Sequence, residues 1–197
     1  MAREKRHDAS PHAGVFLRLA RRAVLYNVRI PIRLALSALC GVRLIGEERV
    51  PLDGGLIVAC NHTSFADPVV LQAYFPRFLT YMMTERFYHL PVLERVLRFW
   101  GVMVIREEGL NKESLRAAAD ALGGGAAVGL FPEGGISRDG LVHDARPGVA
   151  LLARRAGVPI LPVGVAGIER LLPPDTLRLS RSPIRIYVGE LIPPHGE

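Results

Sequence analysis

The sequence predicts an α/β domain in which helices flank a largely parallel central sheet, with an amphipathic helical segment at the N-terminus. Short apolar runs alternate along the chain with helix-length segments, the pattern of repeated strand-helix units. Several runs are continuously apolar, as expected for strands that are buried on both faces. With 197 residues, 49% hydrophobic and 22% charged, the chain has the composition of a folded protein.

Residues 1–40 are predicted to form a basic tail and an amphipathic helical segment, and residues 41–197 the α/β domain. Apolar side chains between Val15 and Tyr26 fall close to one helical face, with arginines, Arg29 among them, mostly on the other. Pro31 is expected to kink or divide this helix. Residues 1–36 carry eight basic and two acidic side chains, which accounts for the whole net charge of +6.

The elements of the α/β domain follow from the apolar runs and the turn residues between them. The predicted strands are Val42–Ile45, Leu56–Cys60, Leu79–Met83, Val102–Ile105, Ala126–Phe131, Ile160–Val165 and Ile184–Val188. The predicted helices are Pro68–Tyr74, Pro91–Phe99, Lys112–Leu122 and Pro147–Ala156.

Several classes of protein lack their usual sequence signals here. No apolar stretch approaches the roughly 20 residues that cross a bilayer, and arginines interrupt the place of a signal-peptide core, so a cytoplasmic location is expected. Two cysteines, Cys40 and Cys60, form neither a disulfide framework nor a clustered zinc site, and no metal is expected. Zinc-protease, P-loop and dinucleotide-binding motifs are absent from the sequence.

His62 and Asp67 follow the predicted strand Leu56–Cys60, where open α/β sheets bind their ligands. A regular helix would place residues five apart on different faces, but a strand-to-helix turn brings them together. Pro68 suits the first helical position, so Asp67 is expected to be the N-cap. Asp67 could also orient the imidazole of His62 as a general base. Taken on their own, these two residues are better explained by an ordinary capping aspartate and a packed loop histidine.

A second polar group follows the predicted strand Ala126–Phe131. Glu133 stands beside Gly134, which allows close backbone approach to a ligand, and Arg138 could bind an anion. The alternative is a glycine-rich turn with solvated charges. Ser137 raises the idea of a serine esterase, but its surroundings do not match G-x-S-x-G. Arg106 follows a third strand and would reach the same sheet edge, or form a solvated strand end.

Three ordered segments resemble the glycerolipid acyltransferase family, and within it the bacterial 1-acylglycerol-3-phosphate acyltransferases. The H-x-x-x-x-D signature matches at His62 and Asp67. The F-P-E-G-x-x-S signature matches from Phe131 to Ser137, and V-P-[IV]-x-P-V matches residues 158–163. The segment that ends at Arg106 is one residue shorter than the usual form.

The resemblance implies transfer of a fatty acyl group from acyl-CoA or acyl carrier protein to the hydroxyl of lysophosphatidic acid or a similar lysophospholipid, in phospholipid biosynthesis. It implies catalysis by His62 and Asp67 and substrate binding by Arg106, Glu133, Gly134, Ser137 and Arg138, with no cofactor besides the acyl donor. Glu133 is expected to contact an acceptor hydroxyl or brace an arginine. Other acceptors (glycerol 3-phosphate or a lyso-aminolipid) and a non-catalytic lipid-binding role are the alternatives.

The basic N-terminal segment fits an anionic membrane surface as its partner. An amphipathic helix with arginines on one face can lie among lipid headgroups, and family members carry a helical pair that docks on the bilayer. We therefore expect a peripheral protein on the cytoplasmic face of the membrane. A helix that packs on the domain with solvated arginines is the alternative. A nucleic-acid partner is not expected, because the remaining 161 residues carry 17 basic and 17 acidic side chains.

Overall fold

A computed structural model of the chain describes residues 27–85, 91–105, 111–173 and 180–194. Within these ranges the strands are β1 (Arg43–Ile45), β2 (Leu56–Cys60), β3 (Leu79–Thr84), β4 (Met103–Ile105), β5 (Ala127–Leu130), β6 (Ile160–Ala166) and β7 (Arg185–Val188). They form one sheet in the order β1-β7-β6-β2-β5-β3-β4. Neighbouring strands are parallel except β6 and β7, so the predicted largely parallel sheet is confirmed.

Helices cover both faces of this sheet. They are α1 (residues 27–40), α2 (Asp67–Tyr74), α3 (Pro91–Trp100), α4 (Lys112–Gly123), α5 (Gly148–Ala156) and α6 (Ile168–Leu171), with a short 3-10 helix at Glu47–Arg49. The four helices predicted in the α/β domain agree with α2 to α5 to within one residue at each end. The sequence analysis did not predict α6 or the 3-10 helix, which are too short to show a periodic apolar pattern.

The central strand β2 explains why its run is continuously apolar. Leu56, Val58 and Cys60 pack into the core on the face covered by α1 and α2. Ile57 points to the opposite face, where it packs with α4 and α5. Both faces of β2 are therefore shielded from water, as in other sheets with helices on each side.

The N-terminal helix departs from its prediction in two ways. Pro31 does not divide it, since residues 27–40 are all helical. Arg29 is not on a solvated face: it is 8% exposed and donates to the carbonyl oxygens of Phe75 and, at 3.4 Å, Ala73. These carbonyls at the end of α2 lack helical partners, so a buried guanidinium stabilises them. Residues 1–26, the rest of the predicted segment, lie outside the described residues.

The alignment of β2 with β5 positions the site. The two strands are parallel neighbours, with Leu56 opposite Ala127 and Ala59 opposite Leu130. Their carboxyl ends therefore reach the same sheet edge, and the segments that begin at Asn61 and Phe131 leave the sheet side by side.

Candidate active site

The imidazole of His62 and the carboxylate of Asp67 are hydrogen-bonded across the turn between β2 and α2. His62 Nδ1 lies 2.8 Å from Asp67 Oδ2. The backbone N–H groups of Thr63 and Ser64 donate to the same oxygen, also at 2.8 Å. The turn thus wraps around a carboxylate that is completely buried, while 16% of the His62 side chain remains exposed. The tight turn predicted from the five-residue spacing is present.

The position of Asp67 in its helix differs from the expected one. Asp67 is the first residue of α2, and Ala66 is the N-cap with no side-chain capping bond. The prediction that Asp67 is the N-cap is therefore wrong by one residue. The physical reason is that Asp67 Oδ2 accepts from amides before the helix, those of Thr63 and Ser64, instead of amides within it.

The hydrogen bond to Asp67 determines what the other imidazole nitrogen can do. An ionised carboxylate only accepts, so Nδ1 carries a proton and the neutral ring presents Nε2 as a base. Phe131 fixes the plane of the ring: its centroid lies 3.9 Å from that of His62, at an interplanar angle of 16°. Tyr81 stacks behind Phe131 at 6.2 Å. The imidazole is thus held by a hydrogen bond at one edge and by stacking on one face.

Glu133 contacts the histidine segment through the backbone. Its Oε1 accepts the N–H of His62 at 3.2 Å, a contact that the sequence analysis did not predict. Its Oε2 is buried and has no hydrogen-bond partner among the described residues. A buried carboxylate oxygen without a donor is costly, so this atom is suited to accept a hydrogen bond from a bound hydroxyl.

Both the backbone conformation at position 134 and the lack of room for a side chain there require a glycine. Its φ of 76° lies in the left-handed region, where residues with a Cβ are strained. A Cβ here would also lie 2.4 Å from Nε of Arg146, whose guanidinium occupies that space. The backbone N–H of Arg146 donates to the carbonyl of Pro132 at 2.9 Å, which closes the loop between them. The sequence analysis did not single out Arg146.

Ser137 supports the site through its backbone. Its N–H donates to the carbonyl of His62 at 2.7 Å, while its hydroxyl donates to Asp139 Oδ1 at 2.7 Å. His143 Nε2 approaches the same carboxylate oxygen at 3.0 Å. Among the described residues, the Ser137 hydroxyl therefore donates to a carboxylate and not to a histidine. This hydroxyl and the N–H of Leu141 lower the pKa of Asp139 to about 2. The arrangement does not supply the base that a serine esterase needs.

With this geometry established, comparison with known proteins identifies the family. The sequence model of the Acyltransferase family matches residues 41–166. The chain belongs to this family. The match contains the histidine-aspartate turn and the Glu133 segment, and it confirms the resemblance drawn from the three sequence segments.

Individual acyltransferases show the same relationship. The chain is 26% identical over 163 residues to the 1-acyl-sn-glycerol-3-phosphate acyltransferase of Borreliella burgdorferi, covering 78% of this chain and 63% of that protein. The Bacillus subtilis protein of the same name is 23% identical, covering 69% of this chain and 68% of its own. The crystal structure of the 1-acyl-sn-glycerophosphate acyltransferase PlsC from Thermotoga maritima superposes with a TM-score of 0.78 and 25% identity, over 94% of this chain and 80% of that one.

The structure brings most of the predicted site residues together. His62, Asp67, Glu133 and Ser137 are linked by the contacts above, and Gly134 follows Glu133 in the same turn. Arg138 lies in the exposed loop after Ser137. Arg106 lies outside the described residues. In the sequence it follows β4, which is an edge strand of the sheet. The roles assigned to all seven residues stay predictions.

Asn61 is a positioning residue that the sequence analysis did not single out. Its side chain donates to the Val165 carbonyl at 2.9 Å and accepts the Val165 N–H at 2.7 Å. The side-chain amide of Asn61 thus makes the two hydrogen bonds that a further backbone residue of β2 would make with β6, and it extends the pairing beyond Cys60. This holds the start of the histidine turn to the sheet. An asparagine directly before His62 was the available signal.

Two buried groups beneath the site are kept neutral by their surroundings. Burial raises the pKa of the Cys60 thiol, with Asp67 and Glu133 adding to the effect. Burial likewise raises the pKa of Tyr81, with smaller contributions from Cys60 and Asp67. Within the described ranges, no group of three or more His, Cys, Asp or Glu side chains is arranged to hold a metal ion.

Proposed function

We propose that this chain transfers a fatty acyl group from an acyl thioester, acyl-CoA or acyl carrier protein, to the hydroxyl of lysophosphatidic acid or a similar lysophospholipid. The observation that carries the proposal is the His62 imidazole, held by a buried carboxylate at 2.8 Å with its second nitrogen available as a base. The names of the relatives provide the acceptor class. Because the chain spans 63% of the Borreliella protein, the activity and substrate remain proposals.

The reaction follows from the chemistry of the two groups. His62 Nε2 removes the proton of the acceptor hydroxyl as its oxygen attacks the thioester carbonyl, and Asp67 stabilises the imidazolium that forms. The tetrahedral intermediate collapses by breaking the carbon-sulfur bond, and the imidazolium returns the proton to the departing thiolate. The thioester is already reactive, so alignment of the two substrates suffices without a covalent enzyme intermediate.

Glu133 supports acceptor binding in this mechanism. Its buried Oε2 is placed to accept a hydrogen bond from a hydroxyl of the glycerol unit. Its Oε1 holds the backbone of His62, so acceptor binding and the general base are coupled through one side chain. Assays with lysophosphatidic acid, glycerol 3-phosphate and a lyso-aminolipid, each with acyl-CoA and acyl carrier protein donors, would distinguish the acceptor and donor classes.

Replacement of the proposed base tests the function directly. His62→Ala is expected to lower acyl transfer by about 10²- to 10⁴-fold, the usual contribution of general-base catalysis. Release of the thiol from the donor measures the rate, and circular dichroism checks the fold. His143→Ala provides a matched control, because it removes an exposed imidazole from a neighbouring loop and should retain most activity. Equal activity of the His62 variant and the wild type would contradict the proposal.

We further propose that the outer face of α1 contacts an anionic membrane surface. Ile32, Leu36 and Cys40 pack this helix on the core. The exposed apolar residues of the helix are Val28 (47%), Ile30 (55%), Leu34 (67%) and Leu39 (36%), of which Ile30 and Leu34 lie on the side away from the core. Apolar side chains exposed along one helix, together with the basic charge of residues 1–36, suit the headgroup layer of a bilayer. No helix in the part of the chain that the structure describes could span a bilayer.

Vesicle binding tests the membrane contact. Leu34→Glu is expected to reduce binding to vesicles containing phosphatidylglycerol roughly tenfold or more, because an apolar contact is lost and a negative charge is added. Leu52→Glu is the matched control, since Leu52 is 71% exposed on the loop before β2. A peripheral location on the cytoplasmic face, where acyl-CoA and acyl carrier protein occur, is part of this proposal. Equal binding by the two variants would contradict the contact.

A further inference from the structure

The guanidinium of Arg146 lies directly on the turn that carries Glu133. An ideal Cβ built on Gly134 would lie 2.4 Å from Arg146 Nε, 2.5 Å from its Cζ and 2.9 Å from its Nη2. Three atoms of the guanidinium group therefore occupy the space that a side chain at position 134 would need. The hydrogen bond from the Arg146 N–H to the Pro132 carbonyl holds the backbone of Arg146 in register with this turn.

This guanidinium has no acidic partner in the part of the chain that the structure describes. Among the described residues no carboxylate forms an ion pair with Arg146, including that of Glu133, which accepts the His62 N–H instead. Arg146 is exposed, so its donors are accessible from solvent. An arginine beside the site, placed by backbone contacts and not neutralised, is available to an anionic substrate.

Resting on the proposed acyl transfer, we propose that Arg146 binds a phosphate group of a substrate. Both substrates of the proposed reaction can carry phosphate: the acceptor as a phosphomonoester, and acyl-CoA in its nucleotide part. The Glu133 carboxylate would repel a phosphate bound nearby, so a cation next to Gly134 offsets that repulsion. The planar fork of an arginine also suits the bidentate geometry of phosphate oxygens. Arg146 thus joins Arg106 and Arg138, for which the family resemblance implied substrate binding.

The test compares Arg146→Gln, Arg146→Lys and a control, Arg155→Gln, which removes an exposed arginine from the last turn of α5. KM and kcat are measured for three substrates: lysophosphatidic acid, acyl-CoA, and the acyl thioester of N-acetylcysteamine, a donor without phosphate. Arg146→Gln is expected to raise one KM by about 10- to 100-fold, the loss typical of a charge-assisted hydrogen bond. Arg146→Lys should recover part of the loss, and the melting temperature of each variant reports folding.

The three substrates distinguish the two sources of phosphate. A higher KM for lysophosphatidic acid with either donor indicates the acceptor phosphate. A higher KM for acyl-CoA, but not for the N-acetylcysteamine thioester, indicates the CoA phosphates. KM values that match those of Arg155→Gln for all substrates, or a fall in kcat alone, would overturn the role of Arg146. Wild-type protein without transfer activity would instead refute the proposed function.

Discussion

Replacing Asp67 with asparagine keeps the size of the side chain but removes its negative charge. The asparagine oxygen can still accept from Thr63 and Ser64, so the turn between β2 and α2 should persist. The imidazole of His62 loses the buried carboxylate, 2.8 Å away, that stabilises its protonated form. Asp67→Asn therefore separates the electrostatic role of this residue from its structural one.

The geometry allows the size of both effects to be worked out. A hydrogen bond to a charged group contributes roughly 1.5–3 kcal/mol, and about 1.4 kcal/mol corresponds to a tenfold change in rate. Loss of the negative charge behind this bond predicts a fall in kcat of up to about 10²-fold, and full loss of the base a fall of up to about 10⁴-fold. The asparagine NH₂ would take the place of Asp67 Oδ1, which is buried without a partner. That unpaired donor costs roughly 1–3 kcal/mol of folding stability.

Two measurements separate these effects. Thiol release from acyl-CoA gives kcat, and urea unfolding gives the free energy of unfolding, which for a domain of this kind is about 5–15 kcal/mol. The variant should remain folded yet lose at least about tenfold in kcat. A kcat within about threefold of the wild type, in a protein that is fully folded, would refute the role assigned to Asp67.

Three further predictions concern residues around this pair. Gly134→Ala places a Cβ at a φ of 76° and against Arg146, so we expect the stability measured by urea unfolding to fall by about 1–2 kcal/mol and the KM for the acceptor to rise. Unchanged stability and unchanged KM would contradict the close contact between Gly134 and Arg146. Asn61→Ala leaves the buried N–H and carbonyl of Val165 unpaired, so the free energy of unfolding measured in urea should fall by roughly 2–4 kcal/mol. A fall below about 0.5 kcal/mol would argue against the two hydrogen bonds between Asn61 and Val165. In a Cys40→Ser background, Cys60 should resist alkylation by iodoacetamide at pH 8.5 until the protein unfolds, because its raised pKa keeps the thiol protonated; rapid labelling of the folded protein would contradict this.

The strands could be predicted because a strand that is buried on both faces has a continuous run of apolar residues in the sequence. The run Leu56–Cys60 is apolar at every position, and the structure places β2 at the same residues. The turn after β2 could also be predicted, since a histidine and an aspartate five residues apart come into contact only if the chain bends between them. The one-residue error at Asp67 arose because capping preference is local, whereas this carboxylate is used by amides of the preceding turn.

Other features depend on residues that are distant in the sequence. From the sequence alone, Arg29 is predicted to lie on a solvated face. In the folded protein, α1 packs beside the end of α2, where Arg29 donates to the carbonyls of Ala73 and Phe75. Arg146 follows Gly134 by twelve positions, and only the closure of the loop at Pro132 brings the two together. Neither contact leaves a periodic or spacing signal, because both depend on where separate segments lie in space.

The amino-acid sequence by itself determined the strand-helix order of this member of the Acyltransferase family, its largely parallel sheet and the identity of the histidine-aspartate pair. These features rest on short-range rules: burial sets the pattern of a strand, and the chemistry of a site requires particular side chains at a fixed spacing. Only the tertiary structure decided that Glu133 holds the His62 backbone, that Asn61 joins β2 to β6, and that Arg146 faces the turn. These contacts arise when β2, β5 and β6 become neighbours, an arrangement fixed by the packing of the whole domain.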